Sequence, residues 1–406
     1  MDILYSLLVL LLITRFCGEV AERLKQPALV GELIAGIFIG IALRLFADHL
    51  PEFAALPHNE VFVAITDLGI FFLMLLGGIE LQPHQLAQST KRALPVGLGG
   101  VLLPFLMGGG LGWWLFPASE FKVAQSLFLG TALAITAVPV TIKVLMDLNK
   151  LNSDAGQIII AAAVVDDVLG LALLAILTGV IESGSVPGAA SFLLLLLKVV
   201  GFFLATILIG NYVFARLWRW VASVQLDEFE FTLVLIFGLI YAAIAEVLGL
   251  HFILGAFMAG LFFTRQTPDQ TTYRRVKEQF SGITTGFLAP VFFASIGMHV
   301  DFAAVFEAPL FLLVVLLAAF AGKLIGSGVV GYCTLGIGLR QATAVGFGMS
   351  GRGAVELIIA DIALRAGLFA GPQPVPPIIA NLFSSIVLMA VITTLVAPIV
   401  LKKTLK

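Results

Sequence analysis

Two adjacent aspartates, Asp166 and Asp167, sit in the middle of an apolar stretch, residues 155–181, where a bilayer supplies no water. On insertion scales one central Asp disfavours a membrane helix by roughly 2.5–3.5 kcal/mol, and an adjacent charge adds repulsion. Intramembrane carboxylates therefore mark ion or proton pathways. Carboxylate oxygens are hard ligands that suit a small hard cation, and protons compete for the same lone pairs. Consecutive positions on a helix point about 100° apart, so the two acids need different partners. One meets a mobile cation and the other a fixed positive charge. Lys323, deep within an apolar run at Ala321-Gly-Lys-Leu-Ile-Gly326, is the fixed charge expected to pair with Asp166.

Two further motifs interrupt apolar segments. Thr136-Ala-Val-Pro-Val-Thr141 places Pro139 inside a helix, where the ring clashes with the carbonyl one turn back and the amide hydrogen is missing. Met349-Ser-Gly-Arg-Gly353 carries Gly351 and Gly353, which permit unwinding, around the buried cation Arg352. Glu356 follows four residues after Arg352, the spacing of an intrahelical pair that would hold the break in shape. Paired interruptions in two halves of a membrane protein point to a midplane ion site, because broken ends present carbonyls and helix dipoles there. The expected site is thus Asp166, Asp167 and Lys323, supported by Thr136, Pro139, Thr141, Gly351, Arg352 and Glu356. Asp166 and Asp167 are the expected ligands of a monovalent cation.

The elements that position these residues follow from composition. Of 406 residues, 60% are hydrophobic and 12% charged, with a mean hydropathy of +1.08. Such a chain has lipid as its main solvent. Long apolar runs without period-two alternation favour helices over a barrel. Thirteen spans are expected, including residues 93–116, 123–145, 155–181, 306–332 and 342–366, with short loops and no separate soluble domain. The formal net charge of -2 argues against a nucleic-acid partner. Cys17 and Cys333 are isolated packing residues, and no cofactor is expected. The N-terminal segment lacks the basic start of a cleavable signal and is expected to remain as a membrane helix.

Most of the 23 Lys and Arg fall on one side of such a topology, with Arg44, Lys122 and Arg365 opposite. The positive-inside rule then puts the N-terminus outside and the C-terminus in the cytoplasm. Gly31-Glu-Leu-Ile-Ala-Gly36 and Gly255-Ala-Phe-Met-Ala-Gly260 share one pattern, and Ile70-Phe-Phe echoes Val291-Phe-Phe. They suggest two inverted six-helix repeats joined by a linker helix over 188–215. Glu32, Glu246 and Asp361 read as helix-end or capping acids. His49, His58, His84, His251 and His299 are too scattered for a metal site, and Lys198 reads as a structural or lipid-facing cation.

Taken together, Ala163-Val-Val-Asp-Asp-Val-Leu-Gly170, the Thr136 to Thr141 segment, Gly322-Lys-Leu-Ile-Gly326 and Gly351-Arg-Gly-Ala-Val-Glu356 resemble the cation:proton antiporter superfamily, particularly its NapA-like sodium/proton branch. The resemblance implies an all-α fold with crossed discontinuous helices and a homodimer. It divides the chain into dimerisation helices (1–79 and 229–263) and an ion-translocating core (93–181 and 283–401) that moves like an elevator in an inner membrane. It implies that Asp167 is the carboxylate shared by cation and proton, that Asp166 partners Lys323, and that exchange of Na⁺ or Li⁺ for H⁺ is electrogenic. One departure stands out. Ala354 follows Arg352-Gly353, and the acid comes only at Glu356, a pattern also found in potassium-handling branches.

Potassium/proton antiport is therefore the alternative within the class. An intramembrane aspartyl protease also buries two aspartates, but its dyad needs them on facing helices, which neighbours on one helix cannot supply. A passive channel fits poorly with paired broken helices.

Overall fold

A computed structural model describes residues 2–24, 26–45, 56–80, 90–136, 141, 145, 150, 153–183, 189–214, 216–217, 228–266, 270–301 and 303–405. Among them the regular elements are all helical. Eight are long and apolar enough to cross a bilayer, and four shorter apolar stretches accompany them, two of which lie in the single helix Asp154–Ser183. The expected all-α membrane architecture holds at that level; the described residues give eight spans of full length where thirteen were expected. The chain divides into two compact units, Met1–Pro83 with Ala189–His299, and His84–Gly188 with Val300–Lys406.

The first unit contains α1 (Asp2–Arg23), α2 (Ala28–Leu45) and α3 (Glu60–Glu80). The descending half of the sequence adds α7 (Ala189–Ile209), α8 (Phe229–Val247), α9 (Ile253–Gln266), α10 (Gln270–Ile283) and α11 (Ala289–His299). A π-helical turn, Thr284–Leu288, joins the last two into one continuous rod. Apolar side chains gain little by leaving lipid for a helix interface, so close backbone approach through small residues does the packing. The repeated glycine motif shows how. A Cβ on Gly31 or Gly36 would run into the backbone of Cys17 or Ala294, and one on Gly255 or Gly260 into that of Tyr241 or Leu75. Each motif thus packs its helix against the preceding helix and against one distant in sequence: α2 on α1 and α11, α9 on α8 and α3.

That seam explains a difference from the sequence reading, which grouped residues 283–401 together. Ala289–His299 packs on α2 in the first unit, because Gly297 meets the backbone of Leu33 and Ile37 while Gly36 and Gly40 meet Ala294 and Met298. The helix over Ala189–Ile209, expected as a linker, also belongs to this unit. The first helix runs from Asp2 to Arg23 and carries Arg15. There Arg15 pairs with the buried Glu32 of α2 at 3.3 Å, so Glu32 is an ion-paired side chain within a helix and not a capping acid.

The second unit contains α4 (Thr90–Leu115), α5 (Lys122–Ala134), α6 (Asp154–Ser183), α12 (Pro309–Lys323), α13 (Val330–Leu335), α14 (Leu339–Gly348), α15 (Ala354–Arg365) and α16 (Leu382–Leu405). Helix α4 is the central post. Its glycines bring it against α6 at Gly97 and against the Leu324–Val329 π segment at Gly99 and Gly100. Gly108 and Gly112 bring it against α5.

Two glycines separate packing from propensity. Gly36→Val forces a side chain into the Ala294 backbone and is expected to destabilise by ~1–3 kcal/mol. Gly77→Ala, where a Cβ meets nothing within 4 Å, should be neutral or stabilising by ~0.5–1 kcal/mol. Thermal melts in detergent measure both, and equal melting temperatures for the two variants would contradict the seam.

Candidate functional site

The site lies in the second unit, where two helices stop in the protein interior. Helix α5 ends at Ala134, and Ile135 turns to an extended conformation with φ -74° and ψ 147°. Helix α14 ends at Gly348, residues 349–353 are non-helical, and α15 begins at Ala354. The two breaks meet. The Thr136 hydroxyl donates to Met349 O at 3.0 Å and the Thr141 hydroxyl to Gly348 O at 2.6 Å. Five of the expected supporting residues, Thr136, Thr141, Gly351, Arg352 and Glu356, are buried at or beside this junction. Pro139 and its neighbours 137–140 lie outside the described residues.

A helix terminus leaves its last four carbonyls without intrahelical partners, a severe cost away from water. At the end of α5 two buried cations meet that need. Thr131 O accepts from the Ile135 amide. Arg352 donates to Ala132 O at 3.3 Å, to Leu133 O at 2.6 Å and to Ile135 O. Lys323 donates to Ala134 O. Both cations also face the negative end of the α5 dipole, a favourable placement.

Lys323, fully buried, also reaches Asp166 Oδ1 at 2.6 Å, and Asp166 is only 1% exposed. The side chains expected to pair are paired. Arg352 and Glu356 are paired at the expected four-residue spacing, but loosely, at 3.9 Å, and not within one helix, since Arg352 lies in the 349–353 break. The sequence spacing suggested that this pair supports the break; the geometry gives Arg352 a different main task, capping α5 across the junction. Thr394 of α16 completes the arrangement by donating to Arg352 O at 2.7 Å. Sequence reasoning passed over Thr394, although a polar Thr393-Thr394 step in an apolar helix was a signal for it. Gly353, with φ -169°, is in extended backbone open to any residue, so its conformation does not require glycine.

Asp361, read as a helix-end or capping acid, forms an ion pair with Arg365 at 2.7 Å in the last turns of α15. Asp166 Oδ2 and both Glu356 carboxylate oxygens are buried and accept no hydrogen bond among the described residues. The four described charged groups, Lys323, Arg352, Asp166 and Glu356, balance as two cations and two carboxylates. Asp167 follows Asp166 on α6, and its side chain lies outside the described residues. Among the described residues no cluster of three or more His, Cys, Asp or Glu is arranged to hold a metal ion. Buried charges at two helix breaks that meet in an apolar bundle, with carboxylate oxygens unengaged among the described residues, are equipment for moving small ions.

Such a bundle and site define a multi-pass membrane transporter. The chain belongs to the sodium/hydrogen exchanger transmembrane family, whose model matches residues 7–406. It is a monovalent cation/proton antiporter by family. It is 31% identical to the Na⁺/H⁺-K⁺ antiporter GerN of Bacillus cereus, over 99% of this chain and 96% of that protein. It is 29% identical to the Na⁺/H⁺ antiporter NhaS4 of Synechocystis, over 98% of this chain and 96% of that one. The fold is similar to that of the sodium proton antiporter MjNhaP1 from Methanocaldococcus jannaschii, with a TM-score of 0.74 and 18% identity, covering 100% of this chain and 99% of the other.

Removing one partner of a buried pair leaves an uncompensated charge. Lys323→Met, which also strips Ala134 O of its donor, is expected to destabilise the protein by ~3–5 kcal/mol. Adding Asp166→Leu should restore much of that loss. A thermal-melt double-mutant cycle in detergent checks this, and simple additivity would mean that the two side chains do not act as a pair.

Proposed function

We propose that the protein exchanges Na⁺, and also Li⁺, for H⁺, with Asp167 as the carboxylate that carries either the cation or the proton. The observation that carries this reading is the buried Lys323–Asp166 pair at the crossing of two helix breaks. Lys323 already occupies Asp166, and Arg352 stands near Glu356, so the described charges neutralise one another. Asp167 is the added negative charge on the same helix. An empty, ionised Asp167 is poorly stabilised in a dry barrier, whereas a cation-loaded or protonated one is neutral. Only the loaded forms then cross easily between inward-open and outward-open states, and competition for one carboxylate couples the two fluxes.

In this reading residues 84–188 and 300–406 form the translocating body, and residues 1–83 and 189–299 the scaffold on which it moves in an elevator-like cycle. The scaffold also forms a homodimer. The remaining assignments are thirteen spans in two inverted repeats, an inner-membrane location, an external N-terminus, a cytoplasmic C-terminus and electrogenic exchange. Both glycine motifs make equivalent contacts in the first unit, which supports the repeat.

Potassium is the second reading. It is favoured by Ala354 where sodium-handling relatives of the NapA-like type place an acid, with Glu356 lying two residues beyond, and by the name of the Bacillus cereus relative.

Proton movement in proteoliposomes, followed with a pH-sensitive dye while Na⁺, Li⁺, K⁺ and choline are added in turn, tests these assignments. The expected outcome is a response to Na⁺ and Li⁺ that disappears in a folded Asp167→Asn variant. Robust exchange by that variant would remove Asp167 from the carrier role. A K⁺ response equal to that of Na⁺ or larger would move the protein to the second reading.

A further inference from the structure

On the outer face of α12, in the second unit, an open cleft of about 470 Å³ runs between α4 and α12. The two helices are antiparallel: the Phe116 and Phe311 rings lie 6.1 Å apart, tilted, at one end, and Gly99 meets Gly326 at the other. The cleft follows Leu106, Gly110 and Trp114 along α4 and Leu317, Ala318 and Ala321 along α12. Its walls are apolar, and its small residues leave room where neighbouring positions carry leucine. A Cβ on Gly110 would meet no atom within 4 Å. From Leu106 to Trp114, eight helical steps, its length is about 12 Å at the helical rise. The inner end stops at Ala321, two residues before Lys323.

The outer end carries a different chemistry. Trp113 and Trp114 are 61% and 80% exposed at the end of α4, as expected of aromatic residues at a membrane–water boundary. Lys122, at the start of α5, lies over the Trp113 ring at 5.0 Å. It has no ion-paired carboxylate among the described residues. An exposed apolar slot, ending at an aromatic pair and a cation that has no ion-paired carboxylate among the described residues, has the polarity profile of a phospholipid: chain inside, phosphate at the boundary.

We propose that this cleft binds one phospholipid with an anionic headgroup, an acyl chain lying between α4 and α12 and the phosphate held by Lys122 beside the two tryptophans. Two arguments select a lipid over a protein segment. The cleft opens on an exposed apolar face, where Leu102, Leu106, Leu313 and Leu317 are each at least half exposed, and Lys122 sits beside the aromatic pair at its outer end. The bound chain would fill the space behind α12, the helix whose opposite face presents Lys323 to Asp166. Lipid composition would thereby bear on the rigidity of the site.

Tryptophan quenching by brominated lipids tests this on the full chain in vesicles. Trp218→Phe and Trp220→Phe leave only Trp113 and Trp114 of the four tryptophans to report. Phosphatidylglycerol brominated on its acyl chains should quench at about fivefold lower mole fraction than the equally brominated phosphatidylcholine. That factor corresponds to the ~1 kcal/mol contributed by one lysine at an anionic lipid surface. Lys122→Gln should abolish the headgroup preference, and Gly110→Phe, filling the cleft, should reduce quenching by both lipids, while Gly110→Ala controls for the backbone. Equal quenching by the two lipids, unchanged in both variants, would overturn the proposal in favour of ordinary surrounding lipid. A change of oligomeric mass in Gly110→Phe, with quenching unchanged, would overturn it in favour of a second copy seated in the cleft.

Discussion

Four backbone carbonyls at the end of one interrupted helix set the terms for the rest of the translocating unit. Stopping α5 inside the protein exposes Ala132, Leu133, Ala134 and Ile135 carbonyls in a place without water. Arg352 and Lys323 supply the donors, and each cation then needs charge compensation of its own. Asp166 compensates Lys323 at contact distance and Glu356 compensates Arg352 at 3.9 Å. The helix break, the two cations and the two acids therefore form one interdependent set. Such networks rigidify a site when satisfied and become costly when one member is lost.

The same reasoning separates two kinds of charge on α6. Asp166 is engaged by a lysine anchored at a second point, Ala134 O, so its environment is fixed by the fold. Three carboxylate oxygens of the set, Asp166 Oδ2 and both of Glu356, accept no hydrogen bond among the described residues. A polar site that engages the carbonyls ending α5 but leaves carboxylate oxygens without a described partner is organised for a guest, because backbone groups cannot be released during a cycle whereas carboxylate partners can be exchanged.

Much of this was legible in the sequence because lipid penalises polar residues so heavily. Asp166, Lys323 and Arg352 could not be where they are without partners; that penalty called for a carboxylate on Lys323, and the family resemblance selected Asp166 over its neighbour. The meeting of the two interrupted segments was legible from Thr136 to Thr141 and from Met349 to Gly353 for the same reason. Arg352 as a cap on another helix was not, since i to i+4 spacing reports only contacts within a helix, and carbonyl acceptors have no sequence signature. The grouping of Ala289–His299 with α2 was also hidden. It depends on which of the chain's 41 glycines face one another, and composition cannot tell Gly36 and Gly297 from glycines such as Gly77 that touch nothing.

The π segment at Leu324–Val329 has a consequence for how this helix is read. A π turn accommodates one residue more than an α turn, so it rotates everything after it by about 100° relative to an unbroken helix. Gly326 can then meet Gly99, Ser327 donate to Val96 O at 3.3 Å, and Gly328 meet Ala342, three consecutive residues each engaged with a neighbour. The orientation of Lys323 is thereby decoupled from the packing of α13. Loss or gain of a single residue within 324–329 would change the phase of one half of the helix while leaving the other half in register, a route by which related chains can redirect the lysine without redesigning the bundle around it.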